Sequence, residues 1–235
     1  PDFLEWERQL LRAEDPREKA GALKSVIEYL ENILDEQRAN PTTELMKSIV
    51  TAQYEGERPL TKDEMMGMIT LLYIGGLDTV YSSLGWIFRH LAADQALQQR
   101  LRANPEQIPW AMEEFLRAYP VAQPHRKIKQ DIVFHGVPMR QGDHVLMATF
   151  AAHRDPRAYE NPHEVDIDRK PRHLTFAAGP HLCLGIHLAK RELKTVVEAF
   201  LSRFENIRMR TGEGYEYHTG GTWGVDRLVL EWDRV

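Results

Sequence analysis

The 235 residues hold one cysteine, Cys183, in the stretch Phe176-Ala177-Ala178-Gly179-Pro180-His181-Leu182-Cys183-Leu184-Gly185. Helical spacing follows through Ala189, Leu193, Val196, Val197, Phe200, Leu201 and Phe204, which places the thiol at the N-terminus of a helix expected over 186–204. Unpaired backbone N–H groups and the positive end of the helix dipole favour the thiolate there, the form that binds a metal. Gly179 and Gly185 permit a tight backbone path that turns the sulfur outward. The alternative is that of most lone cysteines, a small buried apolar residue. A second cluster, Gly75-Gly76-Leu77-Asp78-Thr79, sets an acid and an alcohol beside two glycines, each costing roughly 1 kcal/mol in mid-helix against alanine. Either a flat ligand approaches these glycines or another helix crosses there, with the aspartate facing solvent. A hydroxyl at Thr79 has the carbonyl of Gly75 four residues back as its partner, a bond that loosens a helix. Glu114 and Arg117 lie at i and i+3 on one helix face, close enough to pair. Alone, such a pair is usually solvated and weak.

The elements that must hold these residues follow from periodicity. From residue 2 to about 101 the pattern is helical, with Leu23, Val26, Ile27, Leu30, Ile33 and Leu34 at spacings of three and four, punctuated by Pro16 and Pro41. Thr61-Lys62-Asp63-Glu64 has the form of a capping box and opens the longest helix, expected to run through Ala92. A further helix begins near Pro109 and must stop before Pro120. Ile132-Val133-Phe134 and His144-Val145-Leu146-Met147, with the turn residues His135-Gly136 and Gln141-Gly142-Asp143, predict short hairpins. Residues 153–182 are rich in Pro, Asp, Arg and His without periodicity and are expected to be a long loop, a kind that is usually functional. The tail from Tyr215 alternates like closing strands. No repeat or linker interrupts the chain, so a single mainly α domain with small β-sheets (α+β) is expected over 1–235.

Composition narrows the function. Hydrophobic content of 43% and charged content of 28% are those of an ordinary globular chain. A formal charge of −5 leaves no basic excess to neutralise phosphates, which argues against nucleic acid as a partner. The longest apolar stretch, Met65 to Leu77, is interrupted by glycine and closed by Asp78, too short for a membrane span. With one cysteine and no signal segment, a soluble cytoplasmic protein is expected. The first residue is Pro1, which suggests a fragment or a processed chain.

The decapeptide 176–185 resembles the haem-binding loop of cytochromes P450, Phe-x-x-Gly-x-His/Arg-x-Cys-x-Gly, with Ala177 standing where the family usually has glycine. The likeness covers essentially the whole chain and is nearest to soluble bacterial enzymes of the camphor-hydroxylase type, through Leu72 to Val80, Phe134-His135-Gly136-Val137 and His181 to Gly185. It implies the C-terminal portion of that fold, with haem b (heme, iron protoporphyrin IX) as cofactor and Cys183 as the thiolate ligand to iron. Phe176, Gly179, Gly75 and Gly76 would lie against the cofactor, and Arg126 and His181 would pair with its propionates. Glu114 and Arg117 become the family's Glu-x-x-Arg pair, joined by Arg169 rather than the nearby Arg172. Asp78 and Thr79 become the catalytic acid-alcohol pair that organises proton delivery. By matching, Leu71, Ile74, Ala122, Gly221 and Thr222 are walls for a small apolar substrate. No nicotinamide or flavin motif is visible, so the resemblance implies a monomeric monooxygenase fed by a [2Fe-2S] ferredoxin and its reductase. Lys190, Arg191 and Lys194 would form part of a docking face for that donor, or else simply a solvated helix face.

Family members are longer at the N-terminus, by a portion that carries the early sheet, the substrate-gating loop and further propionate contacts. The chain alone is therefore expected to hold haem weakly. Two other functions remain open at this level. A haem-thiolate gas sensor or peroxide-rearranging enzyme would keep the cofactor without needing the Asp78-Thr79 pair. An inactive helical fragment would keep neither, and would show no Soret band.

Overall fold

The computed structural model describes residues 3–235 and divides the chain into two compact units, Pro1–Asp78 and Thr79–Val235. In the first, α1 (Phe3–Arg12) packs on α2 (Pro16–Ala39), followed by α3 (Glu44–Val50) and a hairpin of β1 (Gln53–Tyr54) and β2 (Arg58–Pro59). Asp15 caps α2 by accepting from the Arg17 N–H at 2.8 Å, with Pro16 at the first helical position, where its missing N–H does no harm. Val26, Leu30 and Leu34 on α2 meet Ile49, Met65 and Ile69 in a core, while Phe3, Trp6, Tyr29 and Tyr73 stack edge to face beside it. The inward stripe of α2 is Ala22, Val26, Leu30 and Leu34; Leu23, read as apolar-face, is exposed because it lies one position off that stripe.

The longest helix, α4 (Lys62–Ala93), begins in the first unit and ends in the second. Thr61 and Glu64 exchange hydrogen bonds at its start, the carboxylate accepting the Thr61 N–H at 2.8 Å and the hydroxyl accepting the Glu64 N–H at 3.3 Å. Glycine makes a close crossing in this helix at Gly85, not at Gly75 or Gly76. A methyl group on Gly85 would sit 2.9 Å from the Val225 side chain, whereas one on Gly75 or Gly76 would meet no described atom within 4 Å.

In the second unit α5 (Gln95–Ala103) and α6 (Ile108–Ala118) lead to β3 (His125–Lys127), β4 (Ile132–Phe134), β5 (Val137–Met139), β6 (His144–Leu146) and the short α7 (Thr149–Ala152). The two sequence-predicted strands do not pair with each other: β4 pairs with β5, and β6 reaches back to β3, all antiparallel. Apart from one 3₁₀ turn at Gly179–His181, residues 153–185 are irregular. Then come α8 (Ile186–Leu201), β7 (Phe204–Met209), β8 (Tyr215–His218), β9 (Gly224–Leu228) and β10 (Leu230–Arg234). Phe204 opens a strand paired with β10 and does not extend α8, so the helix is shorter than its apolar spacing suggested. Ile87, Leu91, Leu101, Phe115, Leu193, Val197 and Ile207 form the core that fixes α4, α5, α6 and α8 together. The result is a helix-rich fold with small two-stranded sheets, as expected. Among the described residues no helix is long and apolar enough to cross a membrane.

Candidate functional site

Cys183 is exposed and lies three residues before α8, whose first turn has no side-chain cap. Its N–H donates to the Phe176 carbonyl at 2.9 Å, closing the loop on itself, and the ring of Phe176 is anchored on the main core. Two positive-φ residues, Ala177 at 58° and Gly179 at 64°, make the turn that lifts the thiol outward. Gly179 takes that conformation freely, but alanine resists it by roughly 1–2 kcal/mol, so Ala177 is a strained point in the loop. Leu182 and Leu184, either side of the cysteine in the chain, and Leu188 in the first turn of α8 are exposed, Leu184 by 82%. An exposed thiol flanked in the chain by exposed leucines, just before an uncapped helix start, suits a flat apolar metal complex better than it suits water.

Behind this loop lies a buried polar clamp. Arg117 and Glu114 are both 0% exposed. Arg117 Nε and Nη2 donate to the two carboxylate oxygens of Glu114 at 2.8 and 2.7 Å. Its Nη1 donates to the carbonyls of His153 and Pro162 and its Nη2 also to that of Glu164, each at 2.8 Å, so every guanidinium N–H is used. Arg169 Nε adds a bond to Glu114 at 3.3 Å, and the Asp166 N–H another at 2.9 Å. The structure thus brings Glu114, Arg117 and Arg169 together and leaves Arg172 outside, its carbonyl accepting from Tyr159. His153 donates from Nδ1 to the Arg117 carbonyl at 3.0 Å and accepts the Leu174 N–H on Nε2 at 2.7 Å, which fixes a neutral tautomer. Burial pushes its pKa down to about 4. Nothing in the sequence marked His153; its role depends on contacts 21 and 36 residues away.

The segment Gly75–Thr79 is unbroken α-helix. In the same helix, Ser83 Oγ donates to the Thr79 carbonyl at 2.7 Å. Asp78 is 1% exposed rather than solvent-facing, and Arg12, at the end of α1, donates to its Oδ1. Neither Arg12 nor the neighbouring buried Glu7 was legible as a site residue, because no local pattern ties α1 to a partner 66 residues on.

The sequence profile of the family described as "Cytochrome P450" matches residues 6–214. The chain belongs to the cytochrome P450 family. It is 35% identical over 228 residues to a probable cytochrome P450 127A1 of Sinorhizobium fredii, an alignment covering 97% of this chain and 55% of the relative. The crystal structure of CYP101J2 superposes with a TM-score of 0.88 at 32% identity, over 99% of this chain and 59% of that one. That of CYP109E1 from Bacillus megaterium in complex with corticosterone gives 0.84 at 29%, over 97% and 64%. The chain therefore spans about half the length of the curated relatives it matches. Members of the family bind haem b.

In this P450 the remaining residues fall as follows. Arg126 lies on β3, half-buried, with Nη1 on the neighbouring His125 carbonyl, and His181 ends the 3₁₀ turn before Cys183, exposed. Ala122 and Thr222 face each other in an isolated antiparallel bridge, and the Gln123 N–H bonds the Gly221 carbonyl at 3.0 Å, so three wall candidates come together. Leu71 and Ile74 lie on the first-unit part of α4, Leu71 largely exposed. Of the three basic residues on α8, Lys190 is held by Glu113 at 2.8 Å and Lys194 lies 3.5 Å from Glu198. Burial pushes the Glu113 carboxyl up, but hydrogen bonds from His173 and Lys190 outweigh it and hold the group below its ordinary range. That ion pair draws Lys190 onto α6, so it serves the fold as well as the surface.

Proposed function

We propose that the protein of which this chain is part is a haem-thiolate monooxygenase, inserting one oxygen atom of O₂ into a C–H bond of a small apolar substrate. The observation that carries this reading is the Cys183 loop: an exposed thiol on a left-handed turn, at an uncapped helix start, over a buried Glu114–Arg117 clamp. Cys183 would be the iron ligand of the cofactor, Arg126 and His181 would pair with its propionates, and Phe176 and Gly179 would lie against the ring. Bound there, haem would supply the dioxygen chemistry, and thiolate ligation by Cys183 would favour O–O cleavage. The chain's own part would be to present the Cys183 sulfur to the iron, to cover the cofactor with its leucines and to deliver protons through Asp78 and Thr79.

Leu71, Ile74, Ala122, Gly221 and Thr222 would line the substrate side, and corticosterone in the similar CYP109E1 supports a compact, polycyclic apolar class. Electrons would come from a [2Fe-2S] ferredoxin and its reductase in the cytoplasm, docking a monomer near Arg191 and Lys194. The test is turnover under isotopically labelled dioxygen. A probe is first chosen from steroids and terpenes by its shift of the haem spin state in the full-length protein. One labelled atom per product molecule is expected; product free of label would mean a non-oxygenase function.

A further inference from the structure

Six aromatic side chains of the second unit line one cavity of about 510 Å³: Trp86 on α4, Tyr119 at the end of α6, Phe150 on α7, Tyr215 and Tyr217 on β8, and Trp223 just before β9. They brace one another. The Trp86 and Tyr119 rings are parallel at 5.7 Å between centroids, Trp223 lies 4.1 Å from Trp86, and Phe150 meets Trp223 edge-on at 4.8 Å. The Trp86 indole N–H donates to the Trp223 carbonyl at 3.0 Å, so these walls are fixed without a ligand, which lowers the cost of binding one.

One charge stands in this aromatic wall. Arg89, about one turn past Trp86 on α4, lines the same cavity, with its guanidinium 4.5 Å from the Tyr215 centroid and 5.9 Å from that of Trp86. Ring faces attract the cation, yet they take up none of its five N–H donors in ordinary hydrogen bonds. Its Nε is enclosed by protein and makes no hydrogen bond, and among the described residues no carboxylate pairs with Arg89. The carboxylates beside the β8–β9 hairpin face other partners, Glu213 bonding Arg227 at 2.8 Å and Asp226 bonding His218 at 2.9 Å. A second cation, Arg154, sits 3.6 Å over the Phe150 ring and donates to the Ala118 carbonyl at 2.6 Å. Burial pushes the Tyr119 hydroxyl up, while Arg89, then Arg154 and Arg117, pull it the other way, so the field at this wall is positive.

We infer that this cavity binds a flat aromatic carboxylate, with the ring among the aromatic walls and the carboxylate on Arg89. A planar guanidinium matches a carboxylate through two parallel N–H···O bonds, and rigid ring walls suit a planar ring. An inorganic anion would satisfy the arginine and leave the apolar walls wet. Arg89 lies ten residues beyond Thr79, about 15 Å further along α4, so the site is separate from the proposed oxygen chemistry and does not depend on it.

The experiment uses the full-length, haem-loaded protein, naphthoate as the probe and calorimetry as the readout. One equivalent of naphthoate should bind. Naphthylmethanol, the same ring system with a neutral group, should bind on the order of 10- to 100-fold more weakly, the usual worth of hydrogen bonds between charged groups. Arg89→Gln removes the charge and orphans no hydrogen-bond partner; it should weaken naphthoate by a similar factor and leave naphthylmethanol unchanged. Tyr217→Ala, at a residue 56% exposed, removes one wall without opening the core and should weaken both probes. Naphthoate should leave the Soret band where it is, and its binding should persist when an azole fills the haem site. Equal affinity for the two probes, or for naphthoate in parent and Arg89→Gln, overturns the carboxylate assignment. Unchanged binding in Tyr217→Ala, or competition with the azole, places the probe elsewhere and overturns the site. Absence of binding to the parent overturns the proposal too, since the cavity is then closed in the full-length protein.

Discussion

Arg117→Ala should destabilise the second unit by about 3–5 kcal/mol, the usual consequence of removing one partner of a buried ion pair. Glu114 would keep its charge at zero exposure with only Arg169 and the Asp166 N–H left to it, and the carbonyls of His153, Pro162 and Glu164 would lose their donor. Since whole domains are stable by only about 5–15 kcal/mol, most of the margin would go. Arg117→Lys should rescue little, because an ammonium offers three donors in place of five and no fork to match the carboxylate. Chemical denaturation of the full-length protein measures this. A midpoint within error of the parent for Arg117→Ala would mean that the clamp does not hold the Cys183 loop in place.

The second large effect is on chemistry. Thr79 follows Asp78 directly in α4, and Thr79→Val keeps the shape while removing the hydroxyl. Reduction and dioxygen consumption do not need that hydroxyl, so electron uptake should change little. In the proposed role proton delivery runs through it, so reducing equivalents should leave as peroxide and product per electron should fall. Loss of a general acid-base contribution is typically worth roughly 10²–10⁴-fold, an ample margin over assay error. Parallel counting of reduced nicotinamide, peroxide and product in the reconstituted system separates the cases. Unchanged coupling would return Thr79 to a structural role.

Much of the fold was legible because long amphipathic helices write their period into the chain. The capping box at Thr61, the start of α6 near Pro109 and the aperiodic stretch before Cys183 all stand close to where pattern and turn chemistry put them. Strand pairing was legible only in part: the turn residues His135-Gly136 do close the β4–β5 hairpin. Three-residue strands carry no register signal, so nothing local told β6 to seek β3 rather than β4. Gly85 carried no signal of its own, yet it makes the close crossing on Val225, while a methyl group on Gly75 or Gly76 would meet no described atom. At the site, Cys183 read correctly as an exposed helix-start thiol only with its whole loop considered; as a lone cysteine it would have been placed in the core. The partners of Asp78 and Arg117 were out of reach for a different reason. A buried ion pair is defined by what surrounds it in space, and Arg12 and Asp78 are joined by no sequence pattern.

The claim on which all else depends is that Cys183 is the iron ligand, and the ferrous carbon monoxide spectrum of the full-length protein tests it directly. Thiolate ligation moves the Soret band of the carbon monoxide complex to the long-wavelength position that gives the family its name, while other ligands leave it at shorter wavelength. The parent should show that band, and Cys183→Ser should lose it while still folding, because the cysteine is exposed and serine is close to it in size. A long-wavelength band that persists in Cys183→Ser would contradict the assignment outright.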